Sequence, residues 1–146
     1  MTNMNDHTLL QEFVAESKEH LADIEPHLLT LEQDGQNTEK EVINSIFRAM
    51  HSIKGSSSFF GLTAIKELSH SMENVLMHIR DEILVPDSHT IDALLSGVDI
   101  LNAMIGDVDH SDSIDFSEVH TQLELILNMN KAQESALPKF VETEIF

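Results

Sequence analysis

The sequence contains no cysteine, no tryptophan and no tyrosine. Without cysteine, neither a disulfide framework nor a thiolate metal site can form. With only seven phenylalanines, the core must be built from Leu, Ile, Val and Met. Basic residues are scarce as well. Eight Lys and Arg stand against 26 Asp and Glu, for a formal net charge of −18. A surface of that sign repels phosphate backbones and anionic headgroups, which argues against nucleic acid and membrane surfaces as partners. No apolar run approaches the roughly 18 residues of a membrane-spanning helix. The first twenty residues carry Asp6, Glu12, Glu16 and Glu19 with no early basic cluster, so no secretory signal is visible. A cytoplasmic location is the expectation. What is present suffices for one domain: 146 residues, 41% of them hydrophobic, enough to exclude disorder throughout.

The apolar spacing is helical nearly everywhere, and no strand alternation is seen. In the first segment Leu10, Val14, Ser17, Leu21, Ile24, Leu28 and Leu31 advance by fours and threes. This predicts a long helix capped by Asp6 or Thr8 and interrupted, with a kink, at Pro26. A turn follows over Glu32 to Asn37. Thr38 with Glu41 reads as a capping box. It opens a second helix through Val42, Ile43, Ile46, Phe47, Met50 and Ile53 that ends in the Ser56–Ser58 run. Gly61 breaks the pattern, and Thr63 is placed as the cap of a third helix bearing Ile65, Leu68, Met72, Val75, Leu76 and Ile79. Pro86 precedes a fourth, with Ile91, Leu94, Val98, Leu101, Ile105 and Val108. A loop from Gly106 to Asp115 leads to a fifth, with Phe116, Val119, Leu123, Ile126 and Met129. The short connections suit antiparallel neighbours, so the expected fold is all-α: an antiparallel up-down four-helix bundle with an additional C-terminal helix. Residues 1–130 form the domain in this reading. Residues 131–146, with Pro138 and the apolar Phe140, Val141, Ile145 and Phe146, are read as a tail or the start of a linker.

Chemistry concentrates in the second helix. His51 lies about 105° from the centre of that helix's apolar face, at the wet border of the bundle. Lys54 and Gly55 follow at i+3 and i+4, on the same side. The lysine places positive charge beside the imidazole. The glycine sacrifices about 1 kcal/mol of helix propensity and removes bulk, as close approach of a partner requires. If the hairpin turns near residues 61–62, His51 lies level with Glu73 on the third helix, and Lys54 with His70. Glu73 is itself a border residue. Facing His51, its carboxylate would accept the Nδ1 proton, fix the tautomer and leave Nε2 as an exposed nucleophile. Lys54 could then stabilise negative charge arriving there. This geometry favours phosphoryl chemistry on a histidine.

His51-Ser-Ile-Lys54-Gly55, then Phe60-Gly61, then His70-Ser-Met-Glu73, preceded by Ile46-Phe47-Arg48-Ala49, resembles the histidine phosphotransfer (HPt) domain of CheA-type chemotaxis histidine kinases. The resemblance runs from about Leu9 to Gly106. It implies that His51 is the phosphoacceptor, that Glu73 orients it, and that Lys54 and His70 belong to the same polar network. Gly55, Ser58 and Arg48 are candidate partner-binding residues. The implied partners are a CheA-type kinase catalytic domain, which phosphorylates the histidine, and a response-regulator receiver domain, whose aspartate removes the group. ATP and magnesium then belong to those partners. No cofactor and no metal is expected on this chain, whose five glycines are scattered and form no phosphate-binding loop. The domain alone is a phosphoacceptor and donor, whereas the parent chain it resembles is a protein kinase. The isolated domain is expected to be monomeric. One departure is Phe59, where small residues are common in the family, which bears on the docking surface.

Competing readings are a free-standing HPt relay protein and a non-catalytic helical adaptor with no role for His51. His7, His20, His27, His78, His89, His110 and His120 read as solvated surface residues. A carboxylate-bridged metal centre would need inward-facing Glu-x-x-His pairs, and the inward faces are aliphatic.

Overall fold

A computed structural model describes the backbone from Thr2 to Ala136 and the side chains from His7 to Met129. Five α-helices make up most of it: α1 (Thr2–Asp34), α2 (Lys40–Phe59), α3 (Thr63–Arg80), α4 (Ser88–Gly106) and α5 (Ser117–Ala136). No strand occurs among the described residues. Helix α1 packs on α2 and α4, and α3 packs on α2 and α4, which closes a ring of four; α5 lies against α3 and α4. The architecture is thus the expected four-helix bundle with an additional C-terminal helix. Because α3 touches three neighbours, ten of its 18 residues are buried, so it is the central element on which a site can be anchored. The core is aliphatic, with Leu21, Leu28, Ile46, Leu68, Leu94 and Leu123 at 1% exposure or less. Among the described residues no helix is long and apolar enough to cross a membrane.

Several helix boundaries differ from those expected. Helix α1 is already formed at Thr2 and runs unbroken through Pro26, so neither Asp6 nor Thr8 opens it. The Pro26 carbonyl accepts the Thr30 hydroxyl at 3.1 Å. Thr38 does not form the capping box. Its own N–H closes the short 3-10 turn Gly35–Asn37 on the Gly35 carbonyl, α2 starts two residues later, and the Thr38 hydroxyl is buried without a partner. Ser56–Ser58 belong to the last turns of α2, where the Ser57 hydroxyl donates to the Lys54 carbonyl at 2.9 Å. Thr63 is the first residue of α3 and does not cap it. The Asp112 carboxylate, arriving from a 3-10 segment (Val108–Ser113) inside the expected loop, accepts the Ala64 N–H at 3.0 Å. A tertiary contact has replaced a local cap, satisfying one of the orphan donors at the start of α3. Asp87 caps α4 through the Thr90 N–H at 2.9 Å. Met129 is 62% exposed and lies outside the core. Helix α5 continues to Ala136. Pro138, Phe140, Val141, Ile145 and Phe146 lie outside the described residues.

The α2–α3 turn sets the register of the site. Gly61 has φ +69°, a left-handed conformation that glycine adopts without strain. The Leu62 N–H reaches back to the Ser57 carbonyl at 2.9 Å, and the Gly61 N–H to Ser58 at 3.1 Å. This pair of bonds is a Schellman closure. It places the hairpin midpoint where the sequence reading put it.

Candidate functional site

Four of the other eight histidines are distinguished from His51 by what they touch. His20 approaches Glu16, His110 approaches Asp107 and His120 approaches Glu124, each within a turn of its own helix or segment. His78 Nδ1 lies 2.8 Å from the Asn74 carbonyl, again one turn away. Such contacts follow from helical spacing alone. Among the described residues His51 is the one histidine hydrogen-bonded to another helix: its Nδ1 meets Glu73 Oε2, from α2 to α3. The second carboxylate oxygen of Glu73 accepts Lys54 Nζ at 2.6 Å.

Exposure sorts the three groups by role. The Glu73 side chain is only 6% exposed, Lys54 is a quarter exposed, and His51 is 63% exposed. A carboxylate buried that deeply is tolerated only when paired. Burial on its own raises the Glu73 carboxyl. The hydrogen bonds from Lys54 and His51, together with their charges, outweigh it and hold the group below its ordinary 4.5. Glu73 is therefore an ionised acceptor at neutral pH. In the neutral imidazole, donation of Nδ1–H to Glu73 leaves Nε2 as the ring nitrogen without a proton, on an outward-facing ring.

The spacing argument placed His51 level with Glu73 and Lys54 level with His70. The first pair meets as expected. Lys54 instead reaches Glu73, because helical side chains lean toward their own N-terminus and a long ammonium arm spans one turn. His70 is exposed, and among the described residues no hydrogen bond or ion pair joins it to the other three. Gly55 is exposed, and a Cβ built there would meet nothing within 4 Å. Its lack of a side chain serves no packing need inside the molecule; the free space is on the outside, one turn from His51. Arg48 is exposed one turn before His51, in a shallow depression shared with His20, Asp23 and His27. Ser58 is exposed near the end of α2, beside Phe59, which is 75% exposed and in edge contact with Phe60.

Two contacts at the site were not anticipated. The Phe47 ring stacks on the His51 imidazole, with centroids 6.1 Å apart and planes inclined by 13°. The Arg80 guanidinium, from the last turn of α3, sits 4.4 Å from the centroid of the Phe47 ring. The helical periodicity places Phe47 on the apolar face, and its i−4 spacing from His51 is the signal for the stacking. Arg80 lies two turns beyond Glu73 on the same face of α3, a spacing equally readable.

Comparison with known proteins places the fold and the family. Residues 8–110 match the Hpt domain family model. The chain is 32% identical over 133 residues to the chemotaxis protein CheA of Listeria innocua, which covers 90% of this chain and 21% of that protein. It superposes on the solution structure of the histidine phosphotransfer domain of CheA with a TM-score of 0.70 and 28% identity, covering 80% of this chain and 90% of that one. The phosphorylated P1 domain of CheA3 in complex with CheY6 from R. sphaeroides shares the fold, with a TM-score of 0.68 at 20% identity, over 86% of this chain and 97% of that one. The chain belongs to the Hpt domain family, a class of histidine phosphotransfer domain. It spans about a fifth of the length of the Listeria relative it matches.

Proposed function

We propose that His51 is the phosphoacceptor of this domain, taking a phosphoryl group from an ATP-dependent CheA-type kinase domain and passing it to an aspartate of a response-regulator receiver domain. The observation that carries this reading is the His51–Glu73 bond between α2 and α3, which leaves Nε2 unprotonated on an exposed ring. In the first transfer the Nε2 lone pair attacks the γ-phosphorus of ATP held by the kinase. The N–P bond forms, the bond to the bridging oxygen breaks, and ADP leaves with its electron pair. The ring acquires positive charge, and Nδ1–H faces the Glu73 carboxylate, which stabilises that charge where it develops. In the second transfer a receiver carboxylate oxygen attacks phosphorus and the N–P electrons return to Nε2. Lys54 has three donors and spends one on Glu73, so its ammonium can also face the phosphoryl oxygens. Gly55 gives the incoming domain room beside Nε2, with Arg48 and Ser58 at the margins of that approach. His70 belongs to the site's edge, one turn from Glu73.

ATP and magnesium are supplied by the partner domains in this scheme, and the chain works as a module of a longer cytoplasmic CheA-like kinase. The CheA3 P1 structure, described as phosphorylated and in complex with CheY6, supports a receiver as the second partner. The test is phosphorylation of the purified chain by a CheA-type kinase core with ATP, native against His51→Gln, read by intact mass before and after mild acid. A single acid-labile phosphate on the native chain and none on the variant is the expected result. Equal labelling of both would overturn the assignment and favour the adaptor reading.

A further inference from the structure

The bond to Glu73 constrains one atom of the imidazole, Nδ1. Coupled rotations about the two side-chain bonds of His51 still let Nε2 sweep across an arc while that bond is kept. Reaction at phosphorus requires Nε2 in line with the leaving group, so this residual freedom lowers the fraction of productive encounters. A flat surface against the ring removes it. Phe47 supplies that surface: a near-parallel aromatic ring whose centroid lies 6.1 Å from that of the imidazole, one turn before His51 on the same helix. Phe47 is itself only partly buried, so apolar packing alone does not lock its ring. The Arg80 guanidinium at 4.4 Å from its centroid provides the second hold, by attraction of the cation to the ring. Arg80 leans back along α3 to reach Phe47 as Lys54 leans back along α2 to reach Glu73, so each helix contributes one cation to the support of the imidazole.

We propose that Phe47 and Arg80 are a positioning pair for His51, Phe47 fixing the plane of the imidazole and Arg80 fixing Phe47. The proposal rests on His51 being the phosphoacceptor. Neither residue touches the phosphoryl group.

The test uses phosphoramidate as a small-molecule donor, so that no partner domain is needed. Nε2 attacks phosphorus, the P–N bond of the donor breaks, and ammonia leaves. Initial rates are read by intact mass on the full chain, alongside thermal unfolding. Phe47→Leu, which retains apolar bulk but no plane, is expected to slow labelling about tenfold. Phe47→Tyr, which restores the plane, is expected to label within about twofold of the native rate. Arg80→Gln is expected to slow labelling about threefold, with Arg80→Lys intermediate. A purely structural role predicts rates that follow the melting temperature, with no rescue by the ring. Native-rate labelling of Phe47→Leu would overturn the proposal. If that variant does not fold, Arg80→Gln decides, since labelling at the native rate would also overturn it. Labelling of His51→Gln at the native rate would instead refute the phosphoacceptor assignment, an outcome separate from these.

Discussion

The α2–α3 seam and the α4–α5 seam are built from the same kind of sequence, aliphatic residues repeating by fours and threes, yet they do different work. Across α2–α3 the apolar core is bordered by a row of interacting groups: Lys54, Glu73, His51, Phe47 and Arg80. Across α4–α5 no side-chain hydrogen bond or ion pair joins the two helices among the described residues, and Leu94, Leu101, Leu123 and Ile126 are buried there or toward the core. The first seam gives up some burial to hold a carboxylate out of water and aim an imidazole into it. The second contributes cohesion only. Chemistry is thus confined to the rim of one seam, whose interior is core like the other, and α3, which packs on α2, α4 and α5, couples the two.

If that division holds, truncation in the second region damages folding and leaves the chemistry of the folded fraction alone. Leu94→Ala is expected to lower stability by about 2–5 kcal/mol. His51→Gln, at an exposed position whose partner Glu73 keeps its bond to Lys54, should cost less, about 1 kcal/mol. Urea denaturation of both variants, paired with labelling rates, measures the contrast directly.

Glu73 is where the two regions meet, and pH sharpens the comparison there. Its carboxyl lies below the ordinary 4.5 in the folded chain. Its ion pairing therefore contributes stability that is present above 4.5 and lost as pH falls through the depressed folded value. Glu73→Gln is expected to flatten that part of the stability profile and, by loosening the imidazole, to slow His51 phosphorylation at least about tenfold. Denaturation at a series of pH values from neutral downward would show the first effect, and intact-mass kinetics the second. A smaller change is expected from Asp112→Ala. Losing the cap on the Ala64 N–H should lower stability by about 1 kcal/mol with the labelling rate unchanged, because the cap lies at the far end of α3 from Glu73.

Much of this was legible in the sequence because helical periodicity is a local property. The aliphatic spacing named nearly every core position, and Gly61 located the hairpin turn that brings Glu73 to His51. What was not legible depended on distant or competing partners. Thr63 looks like a cap, but Asp112, 48 residues away, is placed by the tertiary fold and takes the role. Thr38 has the right neighbour for a capping box, yet the preceding 3-10 turn uses its backbone and delays α2 by two residues. Register sums treat side chains as perpendicular to the helix axis, so they paired Lys54 with His70; the backward lean of the chain gives Glu73 instead. Phe47 fits the apolar face by its spacing, but it sits at the rim of that face, where a ring can stack on a functional group.

The most direct test of the site is to establish which nitrogen carries the phosphoryl group. The native chain, labelled at every histidine with nitrogen-15 and phosphorylated by a kinase core, would be followed by nitrogen–phosphorus coupling in the NMR spectrum of the imidazoles. The Glu73 bond to Nδ1 requires the coupling to appear at Nε2 of His51 alone. Coupling at Nδ1, or at any other histidine, would contradict the role assigned to Glu73 and with it the account of how this bundle presents its nucleophile.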